Sequence, residues 1–569
     1  YIDSIKPQRL RGFSTTPSIP TQIPHPFISL EEFIVMKNLK TLDIQSPKMI
    51  LNSLREILIT KDPKFDTQHI QQSHVDTLKH TFRGFVLSEL DKNTGCTLIC
   101  CPCYYFGKLK KAYTLDTTHY KHVNKKKHEI ISKWKTIWDK INPRYKPQTK
   151  KRKRNRLKHL KHTPPQPKWT ETDIPNAYIL FKDKDIKKHR PITSYFKHPC
   201  RRLLQAAHAA LSFIMKTLKR KHRAHFTFNV GKPENLVPLI QRINKKILQE
   251  KRKLTPKIFM GDIKQMYTEL HHNELKEAVA WLLTRFSQHF GKTMTLKIKK
   301  HLCKQKPENE MNVVTGNTRV SMSKYFEITL ECLLNIIYFD IDNTFFTVGN
   351  QIYKQIKGIP MGSHLSPALA YLICEYYERR IPLTIPPQRL QFIFGGRYMD
   401  DILIVRLTPK DPDDPLHKLL DNDLLRITDT QRKGAIYHKD LTIKQEYDPR
   451  GALCLGSLIY INEDTGLLEI RYKNKNEESL LASGKQKTLR FQHNSSFSPQ
   501  HQKRGTIMGE IVRIHRLTSN LTDKKIQCRL LSQELTGLGH KPNITKQLLI
   551  QRWKHTGDMT FKKIAQFLK

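Results

Sequence analysis

Long apolar runs are missing from this 569-residue chain. No stretch reaches the roughly eighteen consecutive apolar residues that a membrane-spanning helix needs, so no membrane partner is expected. Acidic residues are scarce, with 51 Asp+Glu against 100 Lys+Arg and a formal net charge of +49. That excess excludes an ordinary metabolic enzyme. It builds a field that attracts and steers polyanions, with nucleic acid ahead of an anionic membrane surface. Disulfide-scaffold spacing is also missing among the ten cysteines, which points to a reducing, intracellular compartment. Cys96, Cys100, Cys101 and Cys103 cluster, but no second CxxC and no His pair lies at ligand spacing. The segment Gly95–Cys101 therefore reads as a buried strand using Cys as a small hydrophobe, not as a zinc site. No internal repeats occur. The chain opens on Tyr1 and not Met, so its natural start is expected upstream. Gln8–Thr16 is basic, Ser/Thr-rich and acid-poor, as the end of a mitochondrial presequence is.

What is present has the size and order of a chain with several subdomains. Residues 1–90 read as a partly helical extension with no nameable chemistry. Residues 124–168 are strongly basic and contain Lys150, Lys151, Arg152, Lys153 and Arg154 in one run. Such a run is a solvated loop, a nucleic-acid grip or a nuclear-import signal, and the overall charge favours the grip. The compartment stays open between nucleus and mitochondrion. Residues 178–230 read as strand, turn and helix. Thr255–Met260 is a short apolar strand ending at Gly261-Asp262. Asn273 is expected to cap a helix carrying Leu275, Val279, Leu282 and Phe286 on one face. Leu330–Ile337 belongs to a mostly buried helix. Phe345–Val348, the turn Gly349-Asn350 and Gln351–Lys354 read as a hairpin. Ser366 is expected as N-cap and Pro367 as first helical residue of a helix through Glu378. Beyond about residue 470 the chain reads as helical and basic.

Three carboxylates stand at strand ends. Asp262 follows Ile258-Phe259-Met260, and Asp400-Asp401 sits between Tyr398-Met399 and Ile402–Val405, the pattern of a hairpin tip. Unpaired carboxylates among apolar strands cost several kcal/mol unless a cation partners them. Transfer of a nucleotidyl group uses two divalent ions about 3.5–4 Å apart, bridged by such carboxylates. Alone, Asp-Asp is equally the composition of an ordinary β-turn. Lys357–Pro367 adds two glycines before a helix start, where backbone can approach a ligand closely. Phe181–Lys182 and His189–Ile192 read as a two-stranded turn presenting Lys182 and Arg190, cations suited to a triphosphate or simply a solvated basic face.

In this order these segments resemble reverse transcriptases. Gly261–Thr268 looks like the first palm motif, Gly358–Pro367 the second, and Tyr398-Met399-Asp400-Asp401 the third. The Penelope-like retroelement type is the nearest likeness, with telomerase a more distant one. It is carried by Asp91-Lys92-Asn93, Leu115–Tyr120, Phe345–Pro367 with Met361, and Phe491–Ser496 with Gln502–Gly505. The resemblance covers roughly residues 85–545.

The resemblance implies an α+β right-hand polymerase: fingers over 91–254 with the basic insertion 124–168, an antiparallel palm sheet with packed helices over 255–465, and a helical thumb and C-terminal region over 466–569. It implies an RNA-directed DNA polymerase acting on dNTPs, with RNA template, DNA primer and their hybrid as partners. Two Mg²⁺ ions, or Mn²⁺, would be held by Asp262, Asp400 and Asp401 with the Ile263 carbonyl. Tyr267 would exclude a ribose 2′-hydroxyl. Lys182 and Arg190 would hold the triphosphate. Met361, Gly362 and Ser363 would shape the floor under the incoming base pair. Leu453–Ser457 resembles the primer-grip hairpin, with Gly-Ser where the pattern usually has Leu-Asp. Lys444 is the nearest candidate for a general acid on the pyrophosphate. No GIY-YIG endonuclease motif is found at either end, and the segment after the thumb is too short for a ribonuclease H domain, so a polymerase without a nuclease is expected. Two other readings share these features. A non-catalytic, maturase-like RNA-binding protein would have the same charge but no reason to keep three acids. An RNA-directed RNA polymerase would collide with Tyr267.

Overall fold

The computed structural model describes Asp76 and residues 80–569, apart from Lys92, 142–166, Lys168, 170–172, Lys184, 222–225, 251–252, 292–293, 301–311, 322–323, 447–450, Phe497 and Lys569. The run Lys150–Arg154 and almost all of the N-terminal extension lie outside the described residues.

Strands β1 (Val86–Asp91) and β2 (Asn93–Cys100) open the fold as a hairpin. The expected cysteine-bearing strand is thus present, and Cys100 is buried in it. Helix α1 (Pro102–Leu109) and strand β3 (Tyr120–Val123) follow. Helix α2 (Lys127–Ile141) occupies the first part of the basic insertion. Its Ile130, Trp134 and Trp138, at helical spacing, are buried in the main core. Strands β4 (Asn176–Lys182) and β5 (Asp185–Ser194) form the expected cationic hairpin. Helix α3 (Arg201–Lys221) buries Leu203, Ala207, Ala210 and Ile214 along one stripe, and α4 (Leu236–Gln249) follows it.

Strand β6 (Leu254–Ile263) leads through a single-turn helix (Met266–Glu269) into α5 (His272–Phe290). The residue at the cap position of α5 is His271; Asn273 lies inside the first turn, so the helix begins earlier than its apolar stripe suggests. A small antiparallel sheet in the order β8-β7-β9 comes next, from β7 (Thr295–Lys299), β8 (Val313–Thr315) and β9 (Tyr325–Thr329). Thr329 caps α6 (Leu330–Asp342) by accepting the Cys332 N–H. The predicted hairpin is present as β10 (Phe345–Val348) and β11 (Gln351–Gln355), with Gly349 in the left-handed region. In α7 (Ser366–Glu378) Ser366 is already helical and donates its hydroxyl to the Pro360 carbonyl at 2.8 Å, so it ties down the preceding loop instead of capping.

Strands β12 (Ile393–Tyr398) and β13 (Asp401–Pro409) make a tight hairpin, followed by α8 (Leu416–Thr428) and β14 (Ile443–Glu446). The central sheet runs β12-β13-β6-β14. Ile402, Leu403, Ile404 and Val405 are all buried, as an unbroken apolar run in an interior strand should be. Helices α3, α5, α6 and α7 pack on one another and share one core with this sheet. A second large sheet has the order β2-β1-β4-β10-β11-β3, with β5 added to β4. β15 (Ala452–Cys454), β16 (Ser457–Ile461) and β17 (Leu468–Tyr472) form a third. The C-terminal helices α9 (Gln500–Arg516), α10 (Leu521–Thr536), α11 (Ile544–Thr556) and α12 (Met559–Phe567) close around their own core of Ile507, Ile511, Leu531, Leu535, Leu549 and Phe561. Among the described residues no helix is long and apolar enough to cross a membrane.

Candidate active site

The three acids meet through strand register. In the β13–β6 ladder Asp401 stands directly opposite Asp262, and the Ile263 N–H donates to the Asp400 carbonyl at 2.9 Å. Directly opposed residues of an antiparallel pair share a face, so two carboxylates project from one end of the central sheet and Asp400 sits on the adjoining turn. Like charges in that arrangement repel. Part of the compensation comes from Lys264, whose ammonium bonds the Asp262 carboxylate. On the far side of β6, Lys444 of β14 is also opposite Asp262 and is exposed. Ile263 is buried, its side chain in the core.

The turn is made by Met399 and Asp400. Met399 has φ +57°, the sign that a two-residue hairpin loop demands at its first position. Asp400 is thereby fixed close to Tyr267: burial first, then the Asp400 carboxylate, pushes the Tyr267 phenol up to about 12, with Arg190 opposing. Arg190, Tyr267 and Asp400 are thus brought into one electrostatic neighbourhood. Arg190 also donates to Asp91 at 3.2 Å. The upstream acid that the sequence singles out therefore orients a cation of the β4–β5 hairpin. Lys182 ends β4 at the hairpin tip, exposed and in register with Asp91, beside His189.

Tyr267 is held by its backbone. Gln265 takes a left-handed conformation that turns the chain out of β6. The Ile359 N–H then donates to the Tyr267 carbonyl, and the Gly358 N–H to Leu270, both at 2.7 Å. Gly358 has φ +80°, and a Cβ there would lie 2.5 Å from the Thr268 carbonyl oxygen; only glycine permits that approach. One turn along, the Met361 carbonyl accepts from Thr193 N at 2.9 Å. Gly362, at φ +137°, lies so near Thr193 that a Cβ would be 2.1 Å from its carbonyl oxygen. The glycine loop is therefore sealed to the end of β5. Met361 is half-buried beside it, whereas Ser363 is buried and donates to Asp340 at 3.5 Å, supporting the loop from beneath.

The turn between β15 and β16 uses Leu455 and Gly456, both at positive φ. This hairpin approaches the acids: burial, then Asp401 and Glu446, pushes the Cys454 thiol up. The sequence reading missed two further groups. One is a charged chain in which His119 bridges Asp116 and Glu269, and Lys357 bonds Glu269 and Asp440 at 2.8 Å each. His119 and Lys357 both sit in segments quoted for the resemblance, which was the available signal. The other is the buried pair of Arg397 and Glu378, for which the only signal was an Arg just ahead of Tyr398.

No protein-family model and no curated protein matches the sequence. Solved structures do. The telomerase from Candida albicans in complex with the TWJ fragment of telomeric RNA is 13% identical over 86% of this chain and 67% of that one, with a TM-score of 0.53. Apo telomerase from Candida tropicalis is 11% identical, covering 92% of this chain and 78% of that one at a TM-score of 0.46. The Sicinivirus 3Dpol RNA-dependent RNA polymerase is 11% identical over 71% of this chain and 70% of that one, at a TM-score of 0.33. The chain has the right-hand polymerase fold.

Proposed function

We propose that the chain is an RNA-directed DNA polymerase of the Penelope-like type, extending a DNA primer on an RNA template with dNTPs. The observation that carries this reading is the register that sets Asp401 against Asp262 with Asp400 on the adjoining turn. A donor set of three acids at one sheet end suits two divalent ions, Mg²⁺ or Mn²⁺. Asp262, Asp400 and Asp401, with the Ile263 carbonyl, would hold them. When bound, such ions supply an activated 3′-oxygen and charge neutralisation on the leaving pyrophosphate. Lys264 would give up Asp262 to them.

The remaining roles belong to the chain itself. Arg190, oriented by Asp91, and Lys182 bind the triphosphate as it enters between the β4–β5 hairpin and the central sheet. Tyr267 fills the space that a ribose 2′-oxygen would need. Met361 and Gly362 form the floor under the new base pair, supported by Ser363. Lys444, beside Asp262 on the edge strand, is placed to hand a proton to the pyrophosphate. The hairpin around Leu455-Gly456 brings Cys454 within reach of the Asp401 charge, and a primer end would be seated there. Fingers, palm and thumb follow as 91–254, 255–465 and 466–569.

The test is extension of oligo-dT on poly-rA with dTTP and Mg²⁺. The wild-type chain should extend, and Asp262→Asn, Asp400→Asn and Asp401→Asn should each abolish extension while leaving hybrid binding nearly intact, because Lys and Arg hold the phosphates. Wild-type extension that survives Asp401→Asn would remove the carboxylate assignment. No extension by the wild type, with tight RNA binding, would favour the maturase-like alternative.

A further inference from the structure

On the flank of the central sheet a second group of metal-ligating side chains converges. His271 occupies the cap position of α5 and Glu274 lies in its first turn. His438 and Asp440 are alternate residues of the loop that enters β14. His271 Nε2 is 2.8 Å from Asp440 Oδ2. Asp440 Oδ1 is 4.0 Å from His438 Nδ1, and His438 Nε2 is 4.0 Å from Glu274 Oε1. The His271 and His438 rings meet edge to face with centroids 4.7 Å apart. Among the described residues, His271, His438 and Asp440 are the one set of three whose donor atoms all lie within 4.8 Å of one another. The three aspartates of the candidate active site are less tightly gathered.

We propose that His271, His438 and Asp440 form a binding site for one transition-metal ion, Zn²⁺ by its donor chemistry, with a fourth position open to water and distinct from the Mg²⁺ carboxylates. Two imidazoles and one carboxylate match the N/O ligands of a zinc site that keeps its fourth position open, whereas Mg²⁺ prefers oxygen alone. The 4.0 Å between His438 Nδ1 and Asp440 Oδ1 exceeds a hydrogen bond. It is a gap that an ion with bonds of roughly 2.0–2.2 Å can bridge once the ring rotates away from the Asp440 N–H that Nδ1 accepts at 3.2 Å. Asp440 already has an outer partner of the kind that orients metal ligands. Lys357 donates to Asp440 Oδ2, leaving Oδ1 turned toward His438.

The site joins two segments that matter to the sheet. α5 begins a few residues beyond Asp262 and Tyr267, and the His438–Asp440 loop leads into the strand carrying Lys444. A bound ion would pin that edge strand against β6.

The experiment uses the full chain, stripped with chelator, then loaded with Zn²⁺ alone and passed through a desalting column. Zinc content should be one equivalent in the wild type. It should be lost in His271→Ala and in His438→Ala and kept in Asp400→Asn. A wild type that retains no zinc overturns the site. So does zinc lost in Asp400→Asn but kept in His438→Ala, since the ion would then belong to the active-site carboxylates. A second measurement needs no variant: Co²⁺ in place of zinc should give the visible absorption of tetrahedral N/O ligation, and its absence also overturns the site. Neither readout depends on polymerisation, so this site and the polymerase reading stand or fall separately.

Discussion

Arg397 and Glu378 form an ion pair in which neither side chain has any solvent exposure, immediately ahead of the turn that carries Asp400. Glu378 also accepts from the Tyr437 hydroxyl at 2.9 Å, the Thr227 hydroxyl at 2.7 Å and the Phe228 N–H at 2.9 Å. Arg397 reaches the Met399 carbonyl at 3.4 Å with one nitrogen and the Tyr371 carbonyl at 3.4 Å with another. The pair thus connects α7, β12 and the Asp400 turn. Its desolvation is offset only because nearly every polar atom finds a partner.

Breaking one side of this pair should therefore be costly. Arg397→Met leaves a buried carboxylate and should lower unfolding free energy by about 3–5 kcal/mol, read by urea denaturation. The double change Arg397→Met with Glu378→Leu should recover part of that stability. It should not recover primer extension, because the Met399 carbonyl stays without its donor. A single change costing under about 1 kcal/mol, the scale of a surface pair, would show that the pair is solvated and peripheral.

How much of this was legible beforehand differs by element. Asp262 and Asp400-Asp401 stood out because apolar strand residues flank them, and the β6–β13 register sets Asp262 against Asp401. The Gly349-Asn350 hairpin was legible because its turn chemistry is local. Helix starts were displaced by a residue or two: tertiary contacts recruited Ser366 to the Pro360 carbonyl and let α5 begin at His272. Glu378 and the group around Asp440 were not legible. Their partners lie far away in sequence, and nothing local marks a Glu as buried or a His as one of a pair.

Tyr267 offers a test of discrimination in place of rate. Tyr267→Ala should raise ribonucleotide incorporation relative to deoxyribonucleotide, because it removes a clash and not an attraction. Gly358→Ala should act in the same direction more weakly and also destabilise the chain, since its Cβ would press on the carbonyls of Thr268 at 2.5 Å and Tyr267 at 2.6 Å. The measurement is single-nucleotide incorporation of rATP against dATP on an RNA template carrying U. Equal discrimination in the wild type and Tyr267→Ala would remove the sugar-gate role.

Asp340 gives a pH dependence with a definite sign. Burial pushes its carboxyl up from 3.8 to about 7, the Ser363 hydroxyl partly opposing. Between those values the folded chain keeps a proton that the unfolded chain has released. The unfolded state thus binds fewer protons, and this group's contribution to stability falls as pH rises from about 4 to about 7. Asp340→Asn cannot ionise, so its stability relative to the wild type should improve between pH 5 and pH 8. Denaturation at the two pH values measures the difference. A constant difference would mean that Asp340 is ionised throughout.

The basic run Lys150–Arg154 lies outside the described residues, and its role is best separated by salt. Each phosphate contact to a Lys or Arg releases condensed counterions, so log affinity falls with log salt by about 0.7–0.9 per contact. If the run grips nucleic acid, replacing Lys150, Lys151, Arg152, Lys153 and Arg154 with Gln should weaken binding to an RNA–DNA hybrid. It should also flatten that slope by roughly this amount for every contact removed. A nuclear-import signal acts through a receptor and predicts no change in the purified chain. A solvated loop also predicts none, because with +49 overall five distant charges only shift a background field that salt already screens within about 10 Å. Parallel slopes for the two proteins across a salt series would therefore remove the grip, and a shallower slope in the variant would establish it.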